Sequence, residues 1–423
     1  MTTADVHRSI ETVWRIEAPR LIAGLARMLR DVGQAEDLAQ EALVAALERW
    51  PRDGVPDNPG AWLMTTARRR AIDLIRHHRM RDDKQDAIGY ELAAEAMTHA
   101  PDNADALDDD IGDDLLRLIF TACHPVLGRD MQVALTLRML GGLTTPEIAR
   151  AFLVPEATVA QRIVRAKRTL ADRQVPFEVP RGEELAPRLA TVLEVVYLIF
   201  NEGYVATAGD DWTRPDLCEE ALRLGRVLAG LAPREPEVHG LLALMEIQAS
   251  RLHARTAGDG TPVLLLDQDR TRWDRLLIRR GLASLERAER LGGADGNYAL
   301  QAAIAACHAR AVHAKDTDWA KIASLYARLA TIAPSPVVEL NRAVAVSMAE
   351  GPQAGLDMLD SLRDARALAG YHLLPSVRGD LLCKLGRRDE ARIEFERAAS
   401  LTCNAREAGL LRQRAAACAR VEE

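Results

Sequence analysis

Aromatic residues are scarce, at only 4% of the 423 residues. With alanine, leucine, arginine and glutamate dominating, that scarcity favours helix over a β-sandwich or barrel. Long apolar runs are missing as well: nowhere do about eighteen apolar residues follow one another, which excludes an ordinary membrane span. The N-terminal stretch MTTADVHRSIETVWRIE carries charges where a signal peptide needs an apolar segment, so the chain is expected to stay in the cytoplasm. Closely spaced cysteines are absent too. Cys123, Cys218, Cys307, Cys383, Cys403 and Cys418 are scattered through the chain and read as reduced, helix-packed thiols, with no metal set around Cys123-His124. No cofactor or metal is expected.

Cations are missing from one place in particular. Between Asp86 and Asp114 ten carboxylates occur without a single Lys or Arg, whereas Leu115 to Val175 holds nine Lys or Arg against four acids. The net charge of −7 therefore hides a segmented chain, and argues against a protein that holds DNA unaided. Length implies two to four compact units. The charge shifts divide the chain into a helical block at residues 1–84, an acidic linker at 85–114, a basic helical block at 115–175 and a helical remainder at 176–423. The fold class expected is all-α.

What is present points to nucleic acid. Leu143 to Phe152 (LTTPEIARAF) reads as a capped helix, with Thr145 as cap and Pro146 at the first position. A second helix follows from Pro155. Its Val159, Ile163, Ala166 and Leu170 share one face, and Thr158, Gln161, Arg162, Arg165 and Arg168 share the other. Two helices on a short turn make a helix-turn-helix, whose second helix enters the major groove. Gln pairs with adenine and Arg with guanine, while Lys167 and Arg168 are placed to neutralise phosphates.

Upstream, Asn58 is expected to cap a helix opened by Pro59. Leu63, Ala67, Ala71 and Leu74 form its buried stripe, and Arg69, Asp73 and Arg76 form an exposed one suited to a single strand, with a loop before Trp62 for an extruded base. Before that, Gln34 to Ala42 starts a helix running to Trp50-Pro51, with Asp37, Gln40, Glu41 and Glu48 crowded on the side that fits a basic or polar protein surface.

In the remainder, helices are expected to break at Gly209-Asp210-Asp211, at residues 232–236, at 292–296 and at Pro334-Ser335-Pro336. Gly351-Pro352 and Gly386-Arg387 open similar segments thirty-five residues apart, close to the tetratricopeptide period.

Together these pieces resemble the extracytoplasmic-function sigma factors of RNA polymerase, group IV of the sigma-70 family. The resemblance rests on AEDLAQE at Ala35 to Glu41, on Trp62 to Arg76, and on the helix-turn-helix ending in Arg165-Ala166-Lys167, in that order. It implies that residues 1–84 bind core RNA polymerase and melt the −10 element, and that 115–175 read the −35 element of promoter DNA. Asp37, Gln40 and Glu41 would meet the coiled-coil clamp helices of the largest polymerase subunit. Asn58, Trp62, Arg69, Asp73 and Arg76 would read the −10 strand, with Arg69 standing where many relatives have Asn. Thr158, Gln161, Arg162 and Arg165 would face the −35 bases, flanked by Lys167 and Arg168. The linker would thread through polymerase, its Asp108, Asp109 and Asp110 yielding as RNA grows.

Residues 176–423 resemble a subgroup with a tetratricopeptide-like extension. Asn201, Glu202, Tyr204, Asp267, Asp269, Arg270, Trp273, Asn341 and Arg342 carry that resemblance, and their density suggests an interface or groove. The extension is expected to contact the sigma domains or polymerase and to adjust their activity. A polymerase-independent helix-turn-helix regulator with a repeat sensor would leave residues 35 to 76 without a role. An enzyme around Glu202, Asp267 and Asp269 would lack a nucleophile, metal set or phosphate loop. No catalytic residue is expected.

Overall fold

The computed structural model describes residues 3–82, 104–152, 154–205, 213–258, 260–362, 368 and 370–419. The architecture is all-α: 78% of it is helical, and among the described residues the only β-type pairing is an isolated bridge between Thr256 and Pro262. Two compact units divide the chain, residues 1–196 and 197–423.

The first unit opens with α1 (Thr3–Leu29), α2 (Val32–Asp53) and α3 (Pro59–Asp82), which pack on one another. Asp31 begins α2 by accepting from the Gln34 N–H at 3.0 Å. Asn58 begins α3 in the same way, through Ala61 N–H, as expected. Helix α2 runs to Asp53 rather than stopping at Trp50-Pro51. Its end is set by Gly54, whose φ of 89° few other residues adopt, with its N–H on Trp50 O. Ala23, Leu25, Ala26, Ala35, Ala42, Leu63, Ala67 and Ala71 are all but fully buried, so small side chains let these three helices approach closely.

Helix α4 (Ala104–Ala122) takes up the last third of the segment read as an acidic linker. Residues 85–103, and the side chains of Asp108, Asp109 and Asp110, lie outside what is described. Then come α5 (Arg129–Met139), α6 (Thr145–Phe152) and α7 (Glu156–Asp172). Cys123 and His124 close the turn between α4 and α5. Gln132 donates to both their carbonyls, and Val126 N–H bonds to the His124 ring. Burial pushes the Cys123 thiol up to about 11, so it stays protonated. The start of α8 (Leu185–Tyr204) belongs to this unit, where Arg188 donates to Phe120 O and Arg129 pairs with Glu194.

In the second unit consecutive helices stack side by side: α9 (Pro215–Leu231), α10 (Pro236–Ala249), α11 (Arg275–Arg290), α12 (Asn297–Arg310), α13 (Trp319–Ile332), α14 (Pro336–Glu350), α15 (Pro352–Ser361), α16 (Leu373–Lys384), α17 (Arg388–Leu401) and α18 (Ala405–Ala419). The expected breaks at 232–236, 292–296 and 334–336 fall between helices, and that at 209–211 lies outside the described residues. Gly351 and Gly386, both at positive φ, end α14 and α16 one repeat apart. Leu340, Leu356, Leu381, Phe395 and Leu411 join five helices in one core.

Candidate nucleic-acid interface

The helix-turn-helix is α6 and α7, with Val154 and Pro155 the described residues before α7. The cap of α6 is Thr144 rather than Thr145. Thr144 Oγ1 accepts from Glu147 N–H, while Glu147 Oε2 accepts from the Thr144 N–H at 2.7 Å and from its hydroxyl. Each end of this reciprocal capping box satisfies a donor the helix leaves open, and Thr145 stands at the wrong distance from Glu147 to do so. Burial alone would raise the Glu147 carboxyl, but the Thr144 bonds and the Arg15 guanidinium outweigh it and hold it below its ordinary value.

On α7 the face read as apolar is buried: Val159, Ile163, Ala166 and Leu170 are each 6% exposed or less. Gln161, Arg165 and Arg168 stand exposed on the opposite face, with Thr158 half-buried at its edge. Arg162 leans onto Asp130 of α5, and Arg168 lies 3.4 Å from Asp172. Lys167 is placed differently. It sits at the margin of the buried stripe, about 70° round the helix from its centre at 100° per residue, and reaches α2.

There it meets Glu36, a carboxylate with only 3% of its side chain exposed. Glu36 binds Lys167, Arg138 Nε of α5 at 2.9 Å and the Gln40 amide. Lys167 also reaches Asp37 at 2.9 Å. Burial alone would lower the Lys167 ammonium, but Glu36 and Asp37 outweigh it and hold the group above its ordinary value. The lysine stem packs over Gly33, where a Cβ would stand 3.6 Å from it, in ordinary contact. Arg15 of α1 pairs with Glu147 at 3.0 Å, and Gly142, at φ 65°, lies against the Arg15 backbone. The helix-turn-helix module is thus folded onto α1 and α2.

Of the other first-module residues, Glu41 pairs with Arg70 at 2.8 Å and stays largely exposed. Trp62 is half-buried, edge-on to the buried Trp50 with ring centres 5.4 Å apart. Arg69, Asp73 and Arg76 are exposed in one stripe, the last two 4.0 Å apart. Asn58 is occupied as a cap. Glu36 and Arg138 are the pair that sequence reasoning passed over. The available signal was the spacing of Glu36 and Gln40, one turn apart on the flank of the apolar stripe.

In the second unit, Tyr204, Arg270 and Trp273 come together with two residues not foreseen, Arg251 and Arg255. Arg251 donates to the Tyr204 hydroxyl at 2.6 Å and lies over the Trp273 ring, and Arg255 stacks 3.8 Å above Tyr204. Arg270 holds the end of α12 through His308 O and Ala311 O, both at 2.7 Å. Burial beside Arg251 and Arg270 drives His308 down to about 3. All of these residues are buried. Glu202 is buried against Arg214. Asn201, Asp267, Asp269 and Asn341 are exposed; Asp269 caps the turn at Thr271, and Arg342 pairs with Glu339 on its own helix. Among the described residues no group of three or more His, Cys, Asp or Glu is arranged to hold a metal ion, and no helix is long and apolar enough to cross a membrane.

Comparison with known proteins matches three segments of the chain to families. Residues 14–81 match Sigma-70 region 2, residues 117–170 match Sigma-70, region 4, and residues 188–289 match a family of unknown function, DUF6596. An uncharacterized protein of Rhizobium meliloti (strain 1021) is 46% identical over 396 residues, covering 93% of this chain and 92% of the relative. The ECF RNA polymerase sigma factor SigK of Mycobacterium ulcerans is 30% identical over 158 residues, 36% of this chain and 78% of the relative. A probable RNA polymerase sigma-C factor of Mycobacterium bovis is 29% identical over 167 residues, 40% of this chain and 80% of its own length. Sigma-70 regions 2 and 4 in this order, on this helical framework, make the chain a member of the extracytoplasmic-function sigma factors of RNA polymerase, with an additional helical domain after them.

Proposed function

We propose that the chain binds core RNA polymerase through the exposed edge of α2, at Asp37, Gln40 and Glu41, and directs it to promoters. Asn58, Trp62, Arg69, Asp73 and Arg76 engage the −10 strand. Thr158, Gln161, Arg162, Arg165 and Arg168 face the −35 element. Nothing in this role needs catalysis by the chain itself: it works by favouring the melted state of a chosen sequence through contacts that other DNA does not offer.

The observation that carries the reading furthest is the buried Glu36 with its two cations. Lys167 occupies Asp37 while Gln161, Arg165 and Arg168 stay exposed. The folded-together arrangement therefore leaves the promoter-reading face open and engages the edge that would dock polymerase. Binding polymerase exchanges the Lys167 contact for one with the clamp and frees region 4 to reach its own element, Lys167 then facing phosphate.

The extension at residues 176–423 adjusts this exchange through contact with the sigma domains or with polymerase. To test the main reading, the purified chain is mixed with core polymerase and assayed by run-off transcription on fragmented genomic DNA. A stable complex with discrete start sites is expected; tight operator binding without polymerase affinity would refute it. For the extension, a chain ending at Val205 is the suitable variant, because Arg188 and Glu194 of α8 hold the first unit. Its promoter output should differ from that of the full chain, and equal output would remove the regulatory role.

A further inference from the structure

Cys383 on α16 and Cys418 on α18 stand 35 positions apart, the same interval that separates Gly351 from Gly386. Equivalent positions on successive stacked helices face one another, so one repeat brings two distant cysteines together. Their sulfur atoms are 3.1 Å apart, about 1 Å beyond a disulfide bond. The approach is held on both sides. One turn earlier Arg414 of α18 pairs with Asp380 of α16, and the same guanidinium lies 4.5 Å above the Phe395 ring of α17. Both sulfurs rest against the core formed by Phe395, Leu411 and Ala415. Each cysteine is half-buried, so a small oxidant reaches the pair from the surface. The other thiols differ: Cys123, Cys218 and Cys307 are buried, and Cys403 is exposed.

We propose that Cys383 and Cys418 form a reversible oxidation site, a dithiol that a peroxide converts to an intramolecular disulfide stapling the last helix to α16. A cation stands by each sulfur, Arg388 by Cys383 and Arg414 by Cys418; with Cys418 as the attacking sulfur, the thiolate is the nucleophile. The Cys418 thiolate attacks one peroxide oxygen, the O–O bond breaks, and hydroxide leaves to take up a proton as water. The sulfenic acid on Cys418 is then attacked by the Cys383 sulfur. The S–S bond forms, the S–O bond breaks, and the departing hydroxide removes the Cys383 proton as a second water. Two thiols are oxidised by two electrons and one peroxide is reduced to two waters.

The test uses the full chain treated with hydrogen peroxide, alkylated and mapped by peptide mass without reductant. The expected product joins the Cys383 and Cys418 peptides at about 2 Da below their summed mass, at a rate independent of protein concentration, and dithiothreitol reverses it. Amide exchange across Ala405–Ala419 should slow by about tenfold in the oxidised form. Cys403→Ser should keep the joined peptide, and Cys383→Ser should leave a dimedone-reactive sulfenic acid on Cys418. Oxidation confined to Cys403 with the pair still fully alkylated, or Cys418 advancing to sulfinic acid without a crosslink, would overturn the proposal. The wild-type map decides it even where a variant folds poorly.

Discussion

Replacing Lys167 by Met separates the charge from the packing, since the unbranched side chain still fills the space beside Gly33. The charge removed faces Glu36, with 3% of its side chain exposed, while Lys167 itself exposes 18%. A charged hydrogen bond in so dry a place contributes about 1.5–3 kcal/mol. The second partner, Asp37, is 68% exposed and adds only a few tenths, by roughly the measure of surface pairs. Arg138 stays on Glu36, so the carboxylate is not orphaned. A net loss of about 2 kcal/mol shifts the balance between folded-together and separated modules by about thirtyfold. Dyes on α3 and α7 should report a larger separation by energy transfer, and the variant should bind core polymerase in the absence of DNA more tightly than the wild type. Lys167→Arg should restore the wild-type values. Since the Lys167 ammonium is held above its ordinary value, its contribution is complete below that value of 10.5 and fades only as pH rises beyond it. Unchanged separation together with unchanged or weaker polymerase binding in Lys167→Met would refute the reasoning.

Gln161→Ala and Arg165→Ala should each lower affinity for the matched −35 element by about 1–3 kcal/mol and relax preference at one position, read by competition binding of the polymerase complex. Arg168→Ala should instead weaken binding across sequences and reduce the slope of affinity against salt by about one, measured by salt titration. In the extension Trp273→Ala should destabilise by about 3–5 kcal/mol in thermal unfolding, and Trp273→Phe far less, because the buried indole N–H has no acceptor to lose. His308 is neutral in the folded chain down to about pH 3 but takes a proton near 6.5 when unfolded. The unfolded chain then binds the extra proton between those values, so stability falls as pH drops through that window, by about 1.4 kcal/mol per unit. A melting-temperature profile that is no flatter for His308→Gln would exclude this group as the cause.

The helix-turn-helix was legible because its signals are local. The buried residues of α7 recur at helical spacing, and Pro146 with Glu147 marks the start of α6. The cap was misplaced by one residue because Thr144 and Thr145 are equally good caps by type, and only the reciprocal bond with Glu147 separates them. Lys167 shows where pattern reading stops. In the sequence it belongs with Arg165 and Arg168, yet its angle on the helix turns it toward another module. The pairing of Glu36 with Lys167 joins residues 131 positions apart, and no periodicity encodes it; that of Cys383 with Cys418 follows the 35-residue repeat, a period that shows only once the helices are seen to stack. Likewise Tyr204, Arg270 and Trp273 stood out as a dense polar motif, but Arg251 and Arg255 did not, since an arginine over a ring looks in sequence like any solvated arginine.

In a chain of net charge −7, one buried carboxylate, Glu36, holds two cations of the basic module. A carboxylate this buried is stabilised only by close partners, and besides the Gln40 amide these are two cations of the basic module, Arg138 and Lys167. Before polymerase is present, those charges stabilise the chain's own fold and attract DNA less than their number suggests. Of the other cations on α7, Arg162 and Arg168 are paired with Asp130 and Asp172, and phosphate affinity scales with the number of contacts made together. On the proposed function, promoter recognition would follow polymerase binding instead of preceding it. That order predicts that the isolated chain retains −35 DNA weakly, and that Glu36→Gln, which removes the shared buried charge and leaves Lys167 on Asp37 and Arg138 on Leu143 O, loosens both cations, lowers the stability of the first unit and raises that weak binding in a gel-shift assay without polymerase. If Glu36→Gln remains folded by circular dichroism and binds duplex DNA no better than the wild type, the cations are not held in reserve by this carboxylate.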